Sequence, residues 1–449
     1  MKSPLKIAAF LILAALVTFS CDDDNGDGGP DPLSLPIEPQ FACENGLAND
    51  QYSCSEVHLV STLSLTALGT ERLNDIWGWT DPQTGTEYVL VGMFGAVSFI
   101  DLSDPRSPVI LGQLLESNLS GTTKGTTDTP QLAHDDDEHE GAKSIWRDVK
   151  VFQNHAFVVS DAQPHGMQVF DLTRLRGLEG DRTRTFQEDL VYTEFGNAHN
   201  LAINEETGFA YVVGSNTFGG GLHIIDINTP TSPAFAGSFQ DDVAGRNRGT
   251  AENPVRGYVH DTQCVTYAGP DSDYTGREIC FNSGETHVVI VDVTDKSNPV
   301  VLSRPTTPNV AYIHQGWLTP DHRYFLMNDE LDERNNLVPS TTTYIFDVND
   351  LDNPSLSGIF ANSTSSADHN LYTKGNLIFQ SNYSTGLRIL DASDLASGTL
   401  REVGYFDTLP GDNSNRFVGA WSSYPYFESG AIVVSDIFGG LFVLTTGLE

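Results

Sequence analysis

Basic side chains are scarce in this chain: 24 Lys and Arg stand against 60 Asp and Glu, for a formal net charge of -36. Such a surface repels phosphate backbones and anionic headgroups, which excludes nucleic acid as a partner and direct adsorption to an anionic membrane. It suits cations, glycans or basic proteins, and equally an acidity that serves solubility alone. Cysteine is nearly absent, at five residues in 449, and no pair has the spacing of a zinc site or a catalytic thiol motif. Familiar catalytic signatures are missing too: there is no Gly-x-Ser-x-Gly elbow, no His-Glu-x-x-His helix and no P-loop. Gly219-Gly220-Gly221 precedes a strand rather than a helix and reads as a turn. Asp271-Ser272-Asp273 matches only a fragment of a calcium loop. The N-terminal apolar run, Ile7 to Val17, is too short to span a bilayer as a mature helix.

That run has instead the layout of a targeting segment, with Lys2 and Lys6 as its basic flank. Thr18-Phe19-Ser20-Cys21 resembles a bacterial lipoprotein cleavage box, with Thr18 in place of the usual Leu and Cys21 as the acylated residue. Residues 1–20 are then a signal peptide. Residues 21–40, rich in Asp, Gly and Pro, form a flexible tether unable to bury apolar area. An acidic run directly after the lipid cysteine resembles the surface-export signal of Bacteroidetes lipoproteins. The expected location is the outer membrane, exposed at the cell surface, with the lipid as the only membrane contact. The remaining cysteines agree with export. Cys43 and Cys54 sit close together before the first strand, and Cys264 and Cys280 flank a hairpin, so two local disulfides are expected.

What is abundant is repetition. Val97-Ser98-Phe99-Ile100-Asp101, Gln168-Val169-Phe170-Asp171, Leu222-His223-Ile224-Ile225-Asp226 and Val288-Val289-Ile290-Val291-Asp292 are copies of one phrase, an apolar strand ending in Asp. Thr343-Tyr344-Ile345-Phe346-Asp347 and Leu387-Arg388-Ile389-Leu390-Asp391 follow, and Leu441-Phe442-Val443-Leu444 closes the set without its Asp. Repeats of this period mean a propeller or a solenoid. Around the third copy, Ala198–Asn204, Gly208–Val213, Gly221–Ile227 and Ala234–Phe239 read as four antiparallel strands, which is a propeller blade. The seventh copy ends without an outer strand, whereas Val57–Leu65 has outer-strand character and no blade of its own. The expectation for residues 41–449 is an all-β, seven-bladed propeller of four-stranded blades, closed by the N-terminal strand completing the last blade. A solenoid would carry polar caps rather than complementary halves. Departures from the repeat fall at Glu116–Ser144, which includes the acidic run His134–Glu140, at Asp241–Val255 and at Asn328–Asn336. Such insertions commonly form a binding face.

Each inner strand starts with a polar pair: Asn74-Asp75, Arg147-Asp148, His199-Asn200, His260-Asp261, His314-Gln315 and His369-Asn370, with Phe417–Trp421 lacking it. These starts should gather at one mouth of the central channel. His199, His260, His314 and His369, with Asp75, Asp148 and Asp261, are therefore candidate ligands for a divalent metal, calcium or a transition metal. Paired polar residues repeated in most blades also serve to bond neighbouring blades, so the motif builds the ring as well. Two functions remain open: a binding module for a glycan, protein or small molecule, or a metal-dependent, hydrolase-like enzyme at the channel mouth.

Ser144–Val151, Asn154–Val159 and His165–Leu172, Tyr274–Asn282, Val291–Pro299, His314–Thr319, Asp368–Tyr372 and Gln380–Tyr383 resemble the choice-of-anchor B family, which carries LVIVD repeats. The resemblance covers nearly everything after residue 55. It implies a secreted or surface-anchored β-propeller and supplies no known reaction or catalytic residue.

Overall fold

The computed structural model describes residues 35–117, 119 and 144–448. The signal segment, Cys21, most of the tether and nearly all of the Glu116–Ser144 connector, His134–Glu140 included, lie outside them.

The second and third strands of each blade are buried on both faces, because each blade is sandwiched between two others. Glu87–Met93 and Ala96–Asp101 are buried almost throughout, which is why these strands read as continuous apolar runs rather than alternations. Outer strands face water on one side, and Ser355–Ala361 alternates between exposed and half-buried residues along its whole length. Seven sheets result. Their inner strands are Leu73–Thr80, Arg147–Phe152, Asn200–Asn204, Asp261–Thr266, Ile313–Leu318, Leu371–Lys374 and Ala420–Tyr424. Each packs on the next, and the seventh packs back on the first, so the ring is closed around a channel.

The closing strand is Val57–Leu63, which pairs antiparallel with Gly440–Thr446 as the fourth strand of the seventh blade. It stops two residues short of the expected Leu65: Ser64 caps a one-turn helix, Leu65–Leu68, by accepting a hydrogen bond from the Ala67 amide. A shared irregularity shows that this strand is equivalent to the other outer strands. In six blades the outer strand carries one extra residue opposite the centre of the third strand: Leu111, Ala236, Leu302, Ser357, Val403 and, in the closing strand, Val60. These bulges bend the outer strand and increase its twist. The second blade, whose outer strand is only Leu190–Tyr192, lacks the bulge.

Two blades exceed four strands. Thr185–Phe186 pairs in parallel with the edge of the first blade, and Tyr52–Ser55 with Leu47–Ala48 extends the sixth. The disulfide Cys43–Cys54 ties that N-terminal extension, and Cys264–Cys280 bridges directly paired residues of the fourth blade's hairpin.

The repeated Asp has a local cause. The carboxylates of Asp101, Asp171, Asp226, Asp292, Asp347 and Asp391 each accept the backbone amide two residues on, at 2.8–3.0 Å. Each starts the turn out of its third strand in this way. In the seventh blade the strand runs on to Thr446, so no such turn is needed.

Candidate ligand-binding site at the channel mouth

In four of the six polar pairs the first residue is a histidine that faces the mouth, and these four imidazoles pack tilted against one another around it. Ring centroids are 4.3 Å apart for His199 and His260, 4.2 Å for His260 and His314, and 4.3 Å for His314 and His369. The blade that lacks the pair extends this arc with Trp421, 4.6 Å from His369, and Tyr383 lies 4.7 Å from the same imidazole. Backbone carbonyls orient two of these rings: His260 Nδ1 donates to the carbonyl of His314 at 3.1 Å, and His369 Nδ1 to that of Trp421. A nitrogen facing a carbonyl must carry the proton, so Nε2 of both rings holds the lone pair in the neutral form. Burial lowers His369 to about 3, which keeps it neutral. His199 differs. Burial opposes its charge, but the carboxylates of Asp161, 2.9 Å from Nδ1, Asp261 and Glu330 together outweigh burial and raise its pKa.

The second residue of each pair mostly serves the ring. Asp148 accepts the Leu201 amide of the next blade at 2.7 Å, and Gln315 both donates to and accepts from the backbone of Leu371. Asp75 and Asp148 flank the Lys150 ammonium, which Asp75 meets at 3.2 Å. Asp261 accepts from the Asn200 amide at 3.0 Å and from the Thr262 backbone at 2.6 Å. Asn74 donates to the Ile145 carbonyl, and Arg147 leaves the channel for Glu116 at 3.2 Å and His165 at 3.3 Å. The structure thus gathers the four candidate histidines at one level, with Asp75, Asp148 and Asp261 bonded within the inner-strand ring beside them. A constriction of about 20 Å³ joins the two groups.

Sequence reasoning did not single out Glu330. It follows the second strand of the fifth blade, inside the Asn328–Asn336 insert, and enters the mouth between two imidazoles. Its Oε2 is 3.9 Å from His314 Nε2, its Oε1 is 3.8 Å from His369 Nε2, and the Tyr383 hydroxyl donates to Oε1 at 2.6 Å. Burial raises Glu330 to about 7, against the hydrogen bond from Tyr383. Behind it Asp329, Asp332, Glu333 and Asp368 are all buried. Burial first, and then their mutual repulsion, lifts Asp368 well above the ordinary carboxylate range and Glu333 to about 12. The only advance signal was position: an acidic residue in a loop that breaks the repeat.

Above these groups lies a cavity of about 290 Å³, lined by the four histidines, Glu330, Tyr383, Trp421 and Phe417. Its rim carries Arg72, Arg246 and Arg334. Arg246 comes from the Asp241–Val255 insert and lies 5.2 Å over the Tyr312 ring; Arg334 comes from the Asn328–Asn336 insert and lies 4.3 Å over Phe417. The opposite end of the channel holds a larger cavity, about 760 Å³, faced by Trp77, Trp317, Tyr372, Tyr424 and Tyr426.

The phrase that builds the third strands is itself a known repeat. The LVIVD repeat model matches residues 195–241, the third blade, and 284–307, the outer half of the fourth. The chain carries LVIVD repeats. No curated protein matches it in sequence. Among solved structures, a Lactobacillus plantarum protein is 14% identical, with 81% of this chain and 88% of that one covered at a TM-score of 0.46. The β-propeller domain of Myceliophteria thermophila Cps50 (Swd1) is 12% identical, with 80% and 93% covered at a TM-score of 0.46. The LVIVD repeats and the seven-bladed ring fit a binding or interaction module.

Proposed function

We propose that this LVIVD propeller binds a small anionic ligand, a carboxylate or uronic acid, in the mouth cavity. One observation carries the reading: both described inserts converge on this mouth, and each delivers an arginine to it in a protein where basic residues are scarce. Arg334 lies over the Phe417 ring and Arg246 over Tyr312; one Arg246 Nη donates to the Ala311 carbonyl, and the remaining guanidinium N–H groups suit a carboxylate. Trp421, Phe417 and Tyr383 supply apolar walls, as ligand cavities of this volume usually have. Isothermal titration with a panel of dicarboxylates and uronic acids tests the reading. At least one should bind, and Arg334→Ala should weaken it by about tenfold or more, because charge-assisted bonds contribute about 1.5–3 kcal/mol. Equal affinity in wild type and variant would refute it.

The sequence adds a cellular setting to this proposal. The lipoprotein box at Cys21 and the acidic run behind it support a choice-of-anchor B protein held by lipid in the outer membrane and displayed outward. The two disulfides are consistent with an oxidising compartment. Protease treatment of intact cells should remove the propeller, and full protection would count against surface display.

A further inference from the structure

We infer that His314, His369 and Glu330 bind one divalent transition-metal ion at the floor of the mouth cavity, with an open position for the ligand's carboxylate. The inference rests on the reading of this mouth as a binding site and names what would anchor the ligand there.

Distance supports it first. The two Nε2–carboxylate separations, 3.9 and 3.8 Å, are too long for hydrogen bonds. They fall inside the roughly 4 Å reached when two ligands each lie about 2.0–2.2 Å from a shared ion. All three ligand atoms lie within 4.8 Å of one another, and the three residues are only 1–4% exposed.

Orientation supports it next. His369 is fixed from both sides. Its Nδ1–H donates to the Trp421 carbonyl, while the Asn328 amide donates to its own carbonyl, so Nε2 faces Glu330 as a bare lone pair. Tyr383 holds the carboxylate by its hydroxyl. Such outer partners fix the tautomer and ring orientation of metal ligands. His260 packs against His314 but spends its Nδ1 on the backbone, and so supports the set from outside.

Charge supports it third. Glu330 sits among Asp329, Asp332, Glu333 and Asp368, all buried. Both Asp368 carboxylate oxygens meet no hydrogen-bond partner among the described residues, while the Asp332 and Glu333 carboxyl groups face each other. Buried carboxylates in this number need a cation or protons to offset them. Two imidazoles in the set select a transition metal over calcium or magnesium. Three protein ligands beneath an open cavity leave a coordination position free, as in sites where an exogenous ligand binds the ion.

The test uses full-length protein stripped with a chelator and titrated with Co²⁺, read by visible d–d absorption. One equivalent should generate the bands of a nitrogen-ligated ion. Glu330→Gln and His369→Gln should abolish them, and Tyr383→Phe should weaken binding by about 10–100-fold. Asp350→Asn/Asp352→Asn, altering an exposed acidic cluster, should change nothing. Absence of the bands in wild type overturns the inference without recourse to variants, as do bands that persist in folded Glu330→Gln and His369→Gln proteins. Titration of the metal-free protein with succinate separates the two claims. Arg334-dependent binding without a cobalt spectrum would remove the metal and leave the mouth site standing, whereas loss of both would remove both.

Discussion

At the scale of single residues, one side-chain type does two jobs. The Asp that ends six of the third strands serves a turn, half-buried in five and buried only at Asp292, a local device readable from the repeated phrase alone. Asp261 is buried beside the channel, and there burial, only partly offset by Lys150 and the Thr262 amide, raises its pKa to about 7. A carboxyl whose folded pKa exceeds its unfolded value of about 3.9 contributes stability that is complete below that value and lost as pH rises through 7. Asp261→Asn should therefore lose less stability than wild type between pH 5 and pH 8 in urea melts. A parallel decline in both proteins would show that Asp261 is ionised in the fold throughout. The polar pairs were legible as a ring, but not the division of labour inside them. Which member faces the mouth and which bonds the next blade depends on inner-strand register between residues more than fifty positions apart.

At the scale of elements, the outer-strand bulge explains a glycine pattern that composition does not suggest. Gly112, Gly237, Gly358 and Gly404 pair with the third strand immediately beside the bulge. At Gly237 a Cβ would overlap the backbone carbonyl of Lys296 in the next blade's turn, and at Gly358 that of Gly398. The blades approach so closely there that no side chain fits. Gly237→Ala should cost about 1–3 kcal/mol, the usual range for overpacking, measured as a shift in the urea midpoint. An unchanged midpoint would mean that the turn moves away freely. The third strands and the third blade's four strands were legible, because their periodicity is local. The added strands Thr185–Phe186 and Tyr52–Ser55 were not, since short polar segments acquire strand geometry only from the edge they meet. Glu330 escaped notice for a related reason: nothing in Asn328–Asn336 indicates which acidic side chain the loop turns inward.

For the whole molecule, closure is the dominant fact, and it was foreshadowed by an outer strand without a blade. Val60, the bulged residue of the closing strand, is fully buried among Val89, Val91, Val433 and Val443 between the seventh and first blades. Val60→Asp should place an unpaired charge in that seam and destabilise the protein by about 3–5 kcal/mol. It should also expose the edge of Gly440–Thr446, detected as concentration-dependent association in sedimentation. A monomeric variant of wild-type stability would show that the ring does not depend on this strand. The larger cavity at the far end had no sequence signal, because Trp77, Trp317 and Tyr372 at inner-strand ends look like ordinary core residues.

The same closing pair also sets a timetable. Val57 and Thr446 are neighbours in one sheet but lie almost four hundred residues apart in the chain, so they are made far apart in time. At typical elongation rates of about 5–20 residues per second, the closing strand waits on the order of tens of seconds for its partner. For that interval six blades can form around an open gap, with an unpaired apolar strand at one side. A chain that folds as it is made therefore holds an unfinished ring until then, because the last blade cannot be assembled before Gly440–Thr446 is available.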